Sequence, residues 1–575
     1  MPCSYVDYSE EKITGEAYDK GGDMKSPYYI NVNGAYGLGA YEKPDYSSLK
    51  ELIDDMDKLG IGQSVVYHNL ARDLHPVHGN RYLMEDIAAT PEAQGRVIPA
   101  FAVNPSMLAG EGEMEYVEGF LKSGEVSCLV LFPKTNRYRF VEIERVLERF
   151  REYKPVVLVD VTELNPVINA PDRAPSMDLE DIVEAAAHFP EINFVVRKVM
   201  WWQFSHMLSV LARTKNVFMD TSWLHTRDAI KITQDQAGTG RMVFGLGTKC
   251  HRGAAIAGLA YAHISQKEMD AVAWDTFAGL LNSEGRKKAF EGRRSLDNYV
   301  SNKFWNNFIE GKGVRDTLVI DAHTHIGPFA RSWIIPCNEF DGQIREFEED
   351  MERFGIDEVC SQSESELFGS PIRGNKELEK AIGDRKNRFH GNLVINPIYA
   401  EMYTDEVLDE YFAGGYFKGM KLIPGYIGVD IRDSRLDSIF SYADRHKLYI
   451  LIHSWADPYG SADNIAEVAL RYPNATWIVG HMGGPTEGRH QCERIAQDPR
   501  YKNVVFEFCG SFTTEVPVEE SLEYIDYKRL VFGTDTVVHD VAWELGRLLS
   551  MDLPDEWLTA ILGNNMKRIL NSVEL

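Results

Sequence analysis

The chain of 575 residues contains the same pattern of segments twice, and this internal repeat constrains its fold more than any other feature. Two segments carry apolar residues at the helical spacing i, i+3, i+7 and i+10, at Leu49, Leu52, Met56 and Leu59 and at Ile344, Phe347, Met351 and Phe354. Each stripe predicts an amphipathic helix. Gly60 or Gly355 follows, and then an apolar run, so both halves predict a helix that ends at glycine and leads into a strand.

The register of the repeat continues along both halves. Four pairs of segments correspond at offsets between 288 and 293 residues, namely 102–105 with 394–397, 131–133 with 422–424, 156–159 with 449–452 and 241–245 with 529–533. A shift this constant favours tandem copies of one fold over chance similarity.

Both copies alternate short, continuously apolar strands with helical segments, as parallel strands buried on both faces do. At about 260 residues, one copy has room for the eight βα units of a TIM barrel. The predicted fold class is therefore α/β, with two tandem (β/α)8 TIM barrels. A doubly wound open sheet is the alternative, but polar residues after many strands favour the barrel. We place the first barrel at 1–285, a partly helical connecting segment at 286–315 and the second barrel at 316–575.

The composition is that of a globular protein and limits the partners we expect. A net charge of −26 repels phosphate backbones and anionic lipid, so we expect neither nucleic acid nor a membrane as a partner. The sequence has no run of roughly 18 apolar residues, and we expect no secretory signal. The seven cysteines form no CxxC pair, which fits reduced thiols in a cytoplasmic protein.

Polar residues follow several predicted strands of the second copy. His323 and His325 end one apolar run, and residues two apart on a strand face the same side. Three further runs end at His453, His481 and Asp535. Imidazole and carboxylate ligands suit zinc, manganese, iron or cobalt, and a catalytic site keeps one position open for water. A single histidine at a strand end is more often structural, and Asp535 alone could cap a helix, so only the set of five favours a metal site.

With these residues in view, the second copy resembles the amidohydrolase superfamily, specifically its amidohydrolase-2 branch. The segments that carry the resemblance span almost the whole copy in the family's order, namely IDAHTHIG (320–327), INP (395–397), GMKLIPGY (419–426), LIHS (451–454), IVGHMGG (478–484), VFGTDT (531–536) and LGNNMKRIL (562–570). They are specific for the family and far less specific for the substrate.

The resemblance implies a role for each candidate residue. His323, His325, His453 and Asp535 match the family's metal ligands, and His481 matches a histidine that binds a second metal or contacts the substrate. We expect zinc, with manganese, iron or cobalt as alternatives, and one or two ions. A bound divalent ion would lower the pKa of a coordinated water to roughly 7, and Asp535 would take the proton of that water as general base. His481 would hydrogen-bond the developing oxyanion.

Three further residues have more than one interpretation. Lys421 matches a lysine that is carbamylated in binuclear relatives and bridges two metals there. It could instead bind a substrate carboxylate or form a structural ion pair. Asn396 and His539 could line the pocket, and Asn396 could equally be a turn residue before Pro397.

The first copy lacks the ligand residues. Through the repeat, the positions of His323, His325, Lys421, His453, His481 and Asp535 correspond to Asn33, Ala35, Val130, Asp160, Lys198 and Gly247. We therefore expect a barrel without a catalytic ion, in which Asp160 and Lys198 form a buried salt bridge. A shifted metal site at His68, His75 and His78 is the alternative. The first copy would then serve as an interface partner or as a cover for the active barrel.

Three functions fit the sequence. The leading hypothesis is a metal-dependent hydrolase that uses a metal-activated water on a C–N or C–O bond (amide, cyclic amide, ester or lactone) of a small polar substrate. The alternative is a metal-dependent non-oxidative decarboxylase of a small aromatic or unsaturated carboxylic acid, because the resemblance implies the same ligands for both. A non-catalytic binding or assembly protein is the third, and the intact ligand set argues against it. The resemblance also implies that the chain could form homo-oligomers.

Overall fold

A computed structural model of the chain describes residues 28–39, 43–161, 178–238, 240–281, 302–327, 340–370, 372–510 and 518–575. Its strands form two eight-stranded parallel sheets, in which strands that are neighbours in sequence are neighbours in space. Each sheet closes on itself. The amide of Val32 donates to the carbonyl of Phe244 at 3.0 Å, and that of Ala322 to Phe532 at 2.9 Å. The predicted fold class, two tandem (β/α)8 TIM barrels, is therefore confirmed.

The strands are short, as expected for barrels of this kind. Those of the first barrel are β1 Tyr29–Tyr36, β2 Ile61–His68, β3 Val97–Ala102, β4 Cys128–Leu131, β5 Val156–Asp160, β6 Asn193–Arg197, β7 Val217–Asp220 and β8 Met242–Val243. Those of the second barrel are β9 Ile320–Ile326, β10 Glu358–Ser363, β11 Phe389–Val394, β12 Phe417–Leu422, β13 Tyr449–Ile452, β14 Thr476–Val479, β15 Val504–Glu507 and β16 Leu530–Val531.

Helices alternate with these strands. The α-helices of the first barrel are Leu49–Leu59, Asn69–Asp73, Pro76–Ala89, Glu113–Ser123, Phe140–Phe150, Leu179–His188, Phe204–Arg213, Ala229–Ala237, Ala254–Ala260, Gln266–Asp270 and Thr276–Leu280. Lys303–Asn307 lies in the predicted connecting segment, of which 286–301 is outside the described residues. The α-helices of the second barrel are Phe340–Phe354, Glu364–Leu367, Arg373–Ile382, Asp405–Ala413, Pro424–Ile427, Asp437–Arg445, Ala462–Arg471, Thr486–Gln497, Val518–Ser521, Val541–Leu549, Asp555–Thr559 and Asn565–Ser572. Among the described residues, no helix is long and apolar enough to cross a bilayer.

The two helices predicted from their apolar stripes end where the sequence indicates. The first spans Leu49–Leu59 and ends at Gly60 with φ 71°, and the second spans Phe340–Phe354 and ends at Gly355 with φ 80°. Both φ values lie in the left-handed region that favours glycine at a helix C-terminus. Ser48 begins the first helix, because its side chain accepts the amide of Glu51.

Buried hydrogen bonds repeat between the barrels in the same way as the sequence segments. The side-chain amide of Asn80 bonds both the carbonyl and the amide of Ala102 at 2.9 Å. Asn375 bonds the carbonyl and the amide of Val394 at 3.2 and 3.1 Å. Equivalent asparagines thus brace equivalent strands, which supports the interpretation of the two halves as tandem copies of one fold.

The two barrels pack through equivalent helices. Ala254–Ala260, which follows β8, packs against Val541–Leu549, which follows β16. The helices approach closely because glycine lies at the crossing, and a Cβ on Gly546 would lie 2.3 Å from the Cβ of Ala257. Buried apolar side chains from both barrels belong to one continuous cluster. The barrels therefore share a packed core.

Charged side chains surround this crossing. Arg227 of the first barrel lies 3.0 Å from Asp350 of the second, and Arg353 of the second lies 2.8 Å from Nε2 of His263. The opposite nitrogen of His263 pairs with Asp228 at 3.1 Å. These polar contacts fix the orientation of the barrels around the apolar crossing.

Replacing Gly546 with alanine tests the closeness of the helix crossing. The new Cβ would overlap that of Ala257, and overpacking of this kind costs about 1–3 kcal/mol. We expect Gly546→Ala to unfold at a lower urea concentration than the wild type, measured by intrinsic fluorescence.

Gly119→Ala is the matched control for this substitution. Gly119 lies on an exposed helix face where a Cβ would meet nothing within 4 Å. Alanine there should leave the urea midpoint unchanged or raise it, because alanine favours a helix over glycine. Equal midpoints for the two variants would contradict the close crossing.

Candidate metal centre

Three predicted ligands meet at the carboxyl ends of the second barrel's strands. His323 and His325 lie on β9, and Asp535 follows β16. The Nε2 atoms of the two histidines are 3.2 Å apart, and Asp535 Oδ1 lies 3.4 Å from the first and 2.9 Å from the second. Atoms that bind one ion tetrahedrally at about 2.0–2.1 Å lie about 3.3 Å from one another. This triangle, which we call the ligand triangle, therefore has the size that a zinc-like ion requires.

A buried carboxylate holds the outer nitrogen of each of these histidines. Glu507 Oε2 lies 3.1 Å from Nδ1 of His323, and Glu364 contacts Nδ1 of His325. In the neutral rings these partners assign the proton to Nδ1, since a carboxylate only accepts. The Nε2 lone pairs then point into the ligand triangle, which is the state that a metal ligand needs.

Two nitrogen donors face these lone pairs from inside the barrel. Lys421 Nζ lies 2.7 Å from His323 Nε2, and Gln362 Nε2 lies 2.8 Å from His325 Nε2. Burial lowers the pKa of Lys421, which favours the neutral amine. Lys421 thus adjoins the ligand triangle directly, where each of its predicted functional roles would place it.

His453 and His481 form a pair beside the ligand triangle. His481 Nε2 lies 3.0 Å from His453 Nδ1, and His481 Nδ1 lies 3.2 Å from the carbonyl of Cys509. Burial lowers the pKa of both histidines and keeps them neutral. Because the carbonyl can only accept, His481 carries its proton on Nδ1 and accepts from His453 at Nε2. His453 is thereby left with a lone pair on Nε2, the atom that would bind an ion.

The charges at the ligand triangle favour a cation. Burial raises the pKa of the Asp535 carboxyl, but His323 and His325 outweigh burial and hold that pKa well below its usual value. Burial lowers the pKa of His323 to about 3. For His325, burial is outweighed by Glu364 and Asp535, which raise the pKa to about 9. An ion that binds His325 would therefore displace a proton.

Cys509 adjoins the ligands and was not predicted from the sequence. Its Sγ lies 3.3 Å from Nδ1 of His323 and 3.5 Å from Nδ1 of His481. Among the described residues, the side chains of His323, His481, Cys509 and Asp535 form a grouping whose donor atoms lie within 4.8 Å of one another. Burial raises the pKa of the Cys509 thiol well above its usual value, and a neutral thiol is a poor ligand. The ligand triangle at Nε2 of His323 is therefore the better site.

Glu507 and Glu364 were also missed, although the repeat contains a signal for Glu507. Glu507 ends β15 as Asp220 ends β7. In both barrels this carboxylate accepts a backbone amide from just beyond the sixth strand, that of His481 at 3.2 Å and that of Lys198 at 3.0 Å. Comparison of the two copies at the seventh strand would have identified it.

The first barrel has fixed cations in place of ligands. Lys198 Nζ lies 3.1 Å from Asp160 Oδ2, so the predicted ion pair is confirmed. Arg197, which was not predicted, lies 2.5 Å from Asp160 Oδ1 and donates to the carbonyl of Val32 at 3.0 Å. Burial raises the pKa of Asp160, but Arg197 and Lys198 outweigh it and lower that pKa. A buried guanidinium thus neutralises Asp160, which corresponds to His453 of the second barrel.

The alternative site at His68, His75 and His78 gains no support. His68 accepts the amide of Leu70 at 3.1 Å, and His75 lies 3.3 Å from Glu113. In the described part of the chain, none of the three histidines belongs to a group that could hold a metal ion.

Asn396 and His539 have different neighbours. Asn396 accepts the amide of Ile398 at 3.0 Å as a helix cap. Asn104 of the first barrel caps in the same way at 3.1 Å, without ligands nearby, which supports the turn interpretation of Asn396. His539 Nε2, in contrast, lies 3.9 Å from Asp535 Oδ2 and adjoins the ligand triangle.

Known proteins are similar to part of this chain. The sequence profile of the amidohydrolase family matches residues 320–571. Similar solved structures include 5-carboxyvanillate decarboxylase from Sphingomonas paucimobilis, at 12% identity and a TM-score of 0.35, over 44% of this chain and 99% of that one. A probable 2-pyrone-4,6-dicarboxylic acid hydrolase from Acinetobacter baumannii is similar at 13% identity and a TM-score of 0.34, over 44% and 99%. A manganese complex of 5-carboxyvanillate decarboxylase from Novosphingobium aromaticivorans is similar at 17% identity and a TM-score of 0.35, over 44% and 96%. No curated protein matches the chain.

Glu507→Gln tests whether the carboxylate of Glu507 orients the ring of His323. The variant removes the negative charge beside Nδ1–H of His323 and leaves one acceptor oxygen for the three donors that contact Glu507. Loss of such a partner typically weakens metal binding by about 10–100-fold. We expect this loss in a chelator competition with zinc. Asp220→Asn, the equivalent change in the first barrel, should bind zinc as the wild type does. A similar loss in both variants would show that the effect is one of general stability.

Arg197→Met tests the buried ion pair of the first barrel. Removing one partner of such a pair costs about 3–5 kcal/mol, and we expect this loss in urea unfolding at pH 7. Because the pKa of Asp160 is lowered in the folded protein, the ionised carboxylate stabilises the fold fully at any pH above the ordinary carboxyl range. This stabilisation is lost as the pH falls through the lowered pKa. The difference between wild type and variant should therefore narrow in acid. The double variant Asp160→Leu/Arg197→Met should recover much of the loss, and no recovery would argue against the pair.

Proposed function

We propose, because the sequence profile of the amidohydrolase family matches residues 320–571, that the second barrel is a metal-dependent hydrolase of a C–N or C–O bond in a small polar molecule. The bond would be that of an amide, cyclic amide, ester or lactone. The net charge of −26 supports a small molecule over nucleic acid as the substrate.

The orientation of Asp535 is the observation that carries this proposal. Its Oδ1 belongs to the ligand triangle, while its Oδ2 faces His539 at 3.9 Å. One carboxylate can thus hold an ion with one oxygen and exchange a proton with the other. The lowered pKa keeps Asp535 ionised, as a proton acceptor must be.

The ligands we propose are His323, His325, His453 and Asp535, which suit one zinc ion, with manganese, iron or cobalt as alternatives. When bound, the ion would polarise a substrate carbonyl and lower the pKa of water. Asp535 would accept the proton of the attacking water and return it to the leaving group.

His481 and Lys421 would support this chemistry from either side of the ligands. His481 holds His453 through the 3.0 Å hydrogen bond, so a contact from His481 to a substrate oxygen requires this pair to open. Lys421, with its amine next to His323, would contact a polar group of the substrate. Asn396 remains a candidate for the outer pocket only.

The second candidate function is non-oxidative decarboxylation of a small aromatic or unsaturated acid. Aromatic rings next to His453 favour it. Trp455 lies parallel to His453 with ring centroids 5.9 Å apart, and Tyr426 lies 4.8 Å away. Phe368 extends this group of rings, at 5.9 Å from Tyr426. Such a wall suits a planar substrate that stacks on it.

Substitution of the ligands tests both functions together. We expect His323→Ala and Asp535→Asn to abolish turnover, because each removes a corner of the ligand triangle. Asn33→Ala, at the position in the first barrel that corresponds to His323, should keep turnover. Activity would be measured by mass spectrometry on panels of esters, lactones, amides and aromatic acids.

The products of these assays distinguish the two functions. A hydrolysed product that contains oxygen from labelled water supports the hydrolase, and release of CO2 supports the decarboxylase. Purified protein that retains no transition metal, or equal loss of turnover in all three variants, would contradict both.

A further inference from the structure

A loop of the first barrel reaches the metal centre of the second. This loop, residues 221–228, follows β7. Thr226 pairs with His539 in an isolated antiparallel bridge, and the amide of Asp540 donates to the carbonyl of His225 at 2.8 Å. The backbone of the first barrel is thereby tied to the segment that directly follows Asp535.

His225 presents its side chain to this segment. The ring of His225 is fully buried and meets the ring of His539 edge-on, with centroids 4.7 Å apart. Nδ1 of His225 lies 2.9 Å from the carbonyl of Trp223 in the same loop, which fixes the direction of the ring. His225 is therefore a rigid neighbour of His539.

His539 connects this contact to the ligand triangle. Its Nδ1 lies 3.4 Å from Glu544 Oε1, and its Nε2 lies 3.9 Å from Asp535 Oδ2. Arg547 lies 3.5 Å from Glu544 and donates to the carbonyl of Phe508 at 2.9 Å. The imidazole of His539 is thus held on one side by the second barrel and on another side by His225.

We propose that His225 of the first barrel is a positioning residue for the metal centre of the second barrel. It packs edge-on against His539, and His539 in turn limits the positions open to the Asp535 carboxylate, whose Oδ2 lies 3.9 Å from Nε2. The proposal rests on the proposed function, because it assigns a purpose to the orientation of Asp535. It also gives the first barrel a role that requires no ion of its own, since it completes a site whose ligands all lie in the other barrel.

The test uses the full chain and three variants. His225→Ala removes the ring, while His225→Asn keeps an amide near the position of Nδ1. His263→Ala is the matched control, because His263 contacts Arg353 across the same interface through a half-exposed side chain. A merely structural role for His225 would make His225→Ala and His263→Ala behave alike.

The first measurement is a titration of metal-free protein with Co²⁺, followed by its visible absorption spectrum. We expect His225→Ala to bind Co²⁺ about tenfold more weakly, at the lower end of what loss of an outer partner causes, with an altered spectrum. His225→Asn should recover part of the affinity. His263→Ala should bind as the wild type does, even where its melting temperature falls.

The second measurement is hydrogen–deuterium exchange of the metal-free protein, read in peptides that cover residues 534–541. We expect faster exchange there in His225→Ala and unchanged exchange in His263→Ala. Wild-type Co²⁺ affinity in His225→Ala would overturn the proposal. If the wild type itself binds no Co²⁺, the proposed function fails, and the exchange measurement alone decides whether His225 positions this segment.

Discussion

A buried carboxylate at the end of the seventh strand is the constraint on which both barrels depend. In the second barrel Glu507 contacts the ring of His323 and the amide of His481. In the first barrel Asp220 accepts the amide of Lys198 at 3.0 Å and the side chain of Asn33 at 3.2 Å. A buried charge without partners is costly, so a hydrogen-bond donor at this position of the first strand stabilises the carboxylate. In the first barrel Asn33 supplies this donor, at the position that corresponds to His323.

The two barrels balance the negative charge of their buried carboxylates in different ways. The second barrel gathers the carboxylates of Asp535, Glu507 and Glu364 around histidines that face one point, and a divalent cation there would balance them. The first barrel balances Asp160 with the guanidinium of Arg197 and the amine of Lys198. The side chains of Arg197 and Lys198 are part of the chain, so they cannot be exchanged for another cation. Unlike a bound metal ion, they offer no open coordination position for a substrate. If the second barrel binds the proposed ion, the two barrels would differ in the source of the positive charge that balances their buried carboxylates.

The sequence predicts those parts of the molecule that leave a periodic or repeated signal. Apolar stripes indicated the helices that end at Gly60 and Gly355, and the repeat predicted two barrels. The strand-end histidines and Asp535 could be proposed as ligands because several of them follow apolar runs. Glu364, Cys509 and Arg197 could not, because a single polar residue has no period and its partner lies on another strand. Only the fold shows that Arg197 reaches Asp160, or that Glu364 contacts His325.

The arrangement of the second barrel's last segments explains why an ion-binding barrel would remain fused to one without ligands. Asp535 begins a stretch that leads through His539 into the helix Val541–Leu549, and this helix is the one that packs on the first barrel. The ligand and the interface thus lie on one short segment of chain. Without the first barrel, the apolar face of this helix would be exposed to water, and the segment that carries Asp535 would lose its backbone ties to His225 and Thr226. Because the orientation of a metal ligand depends on what surrounds it, loss of the first barrel would disturb the proposed metal centre as well as the interface.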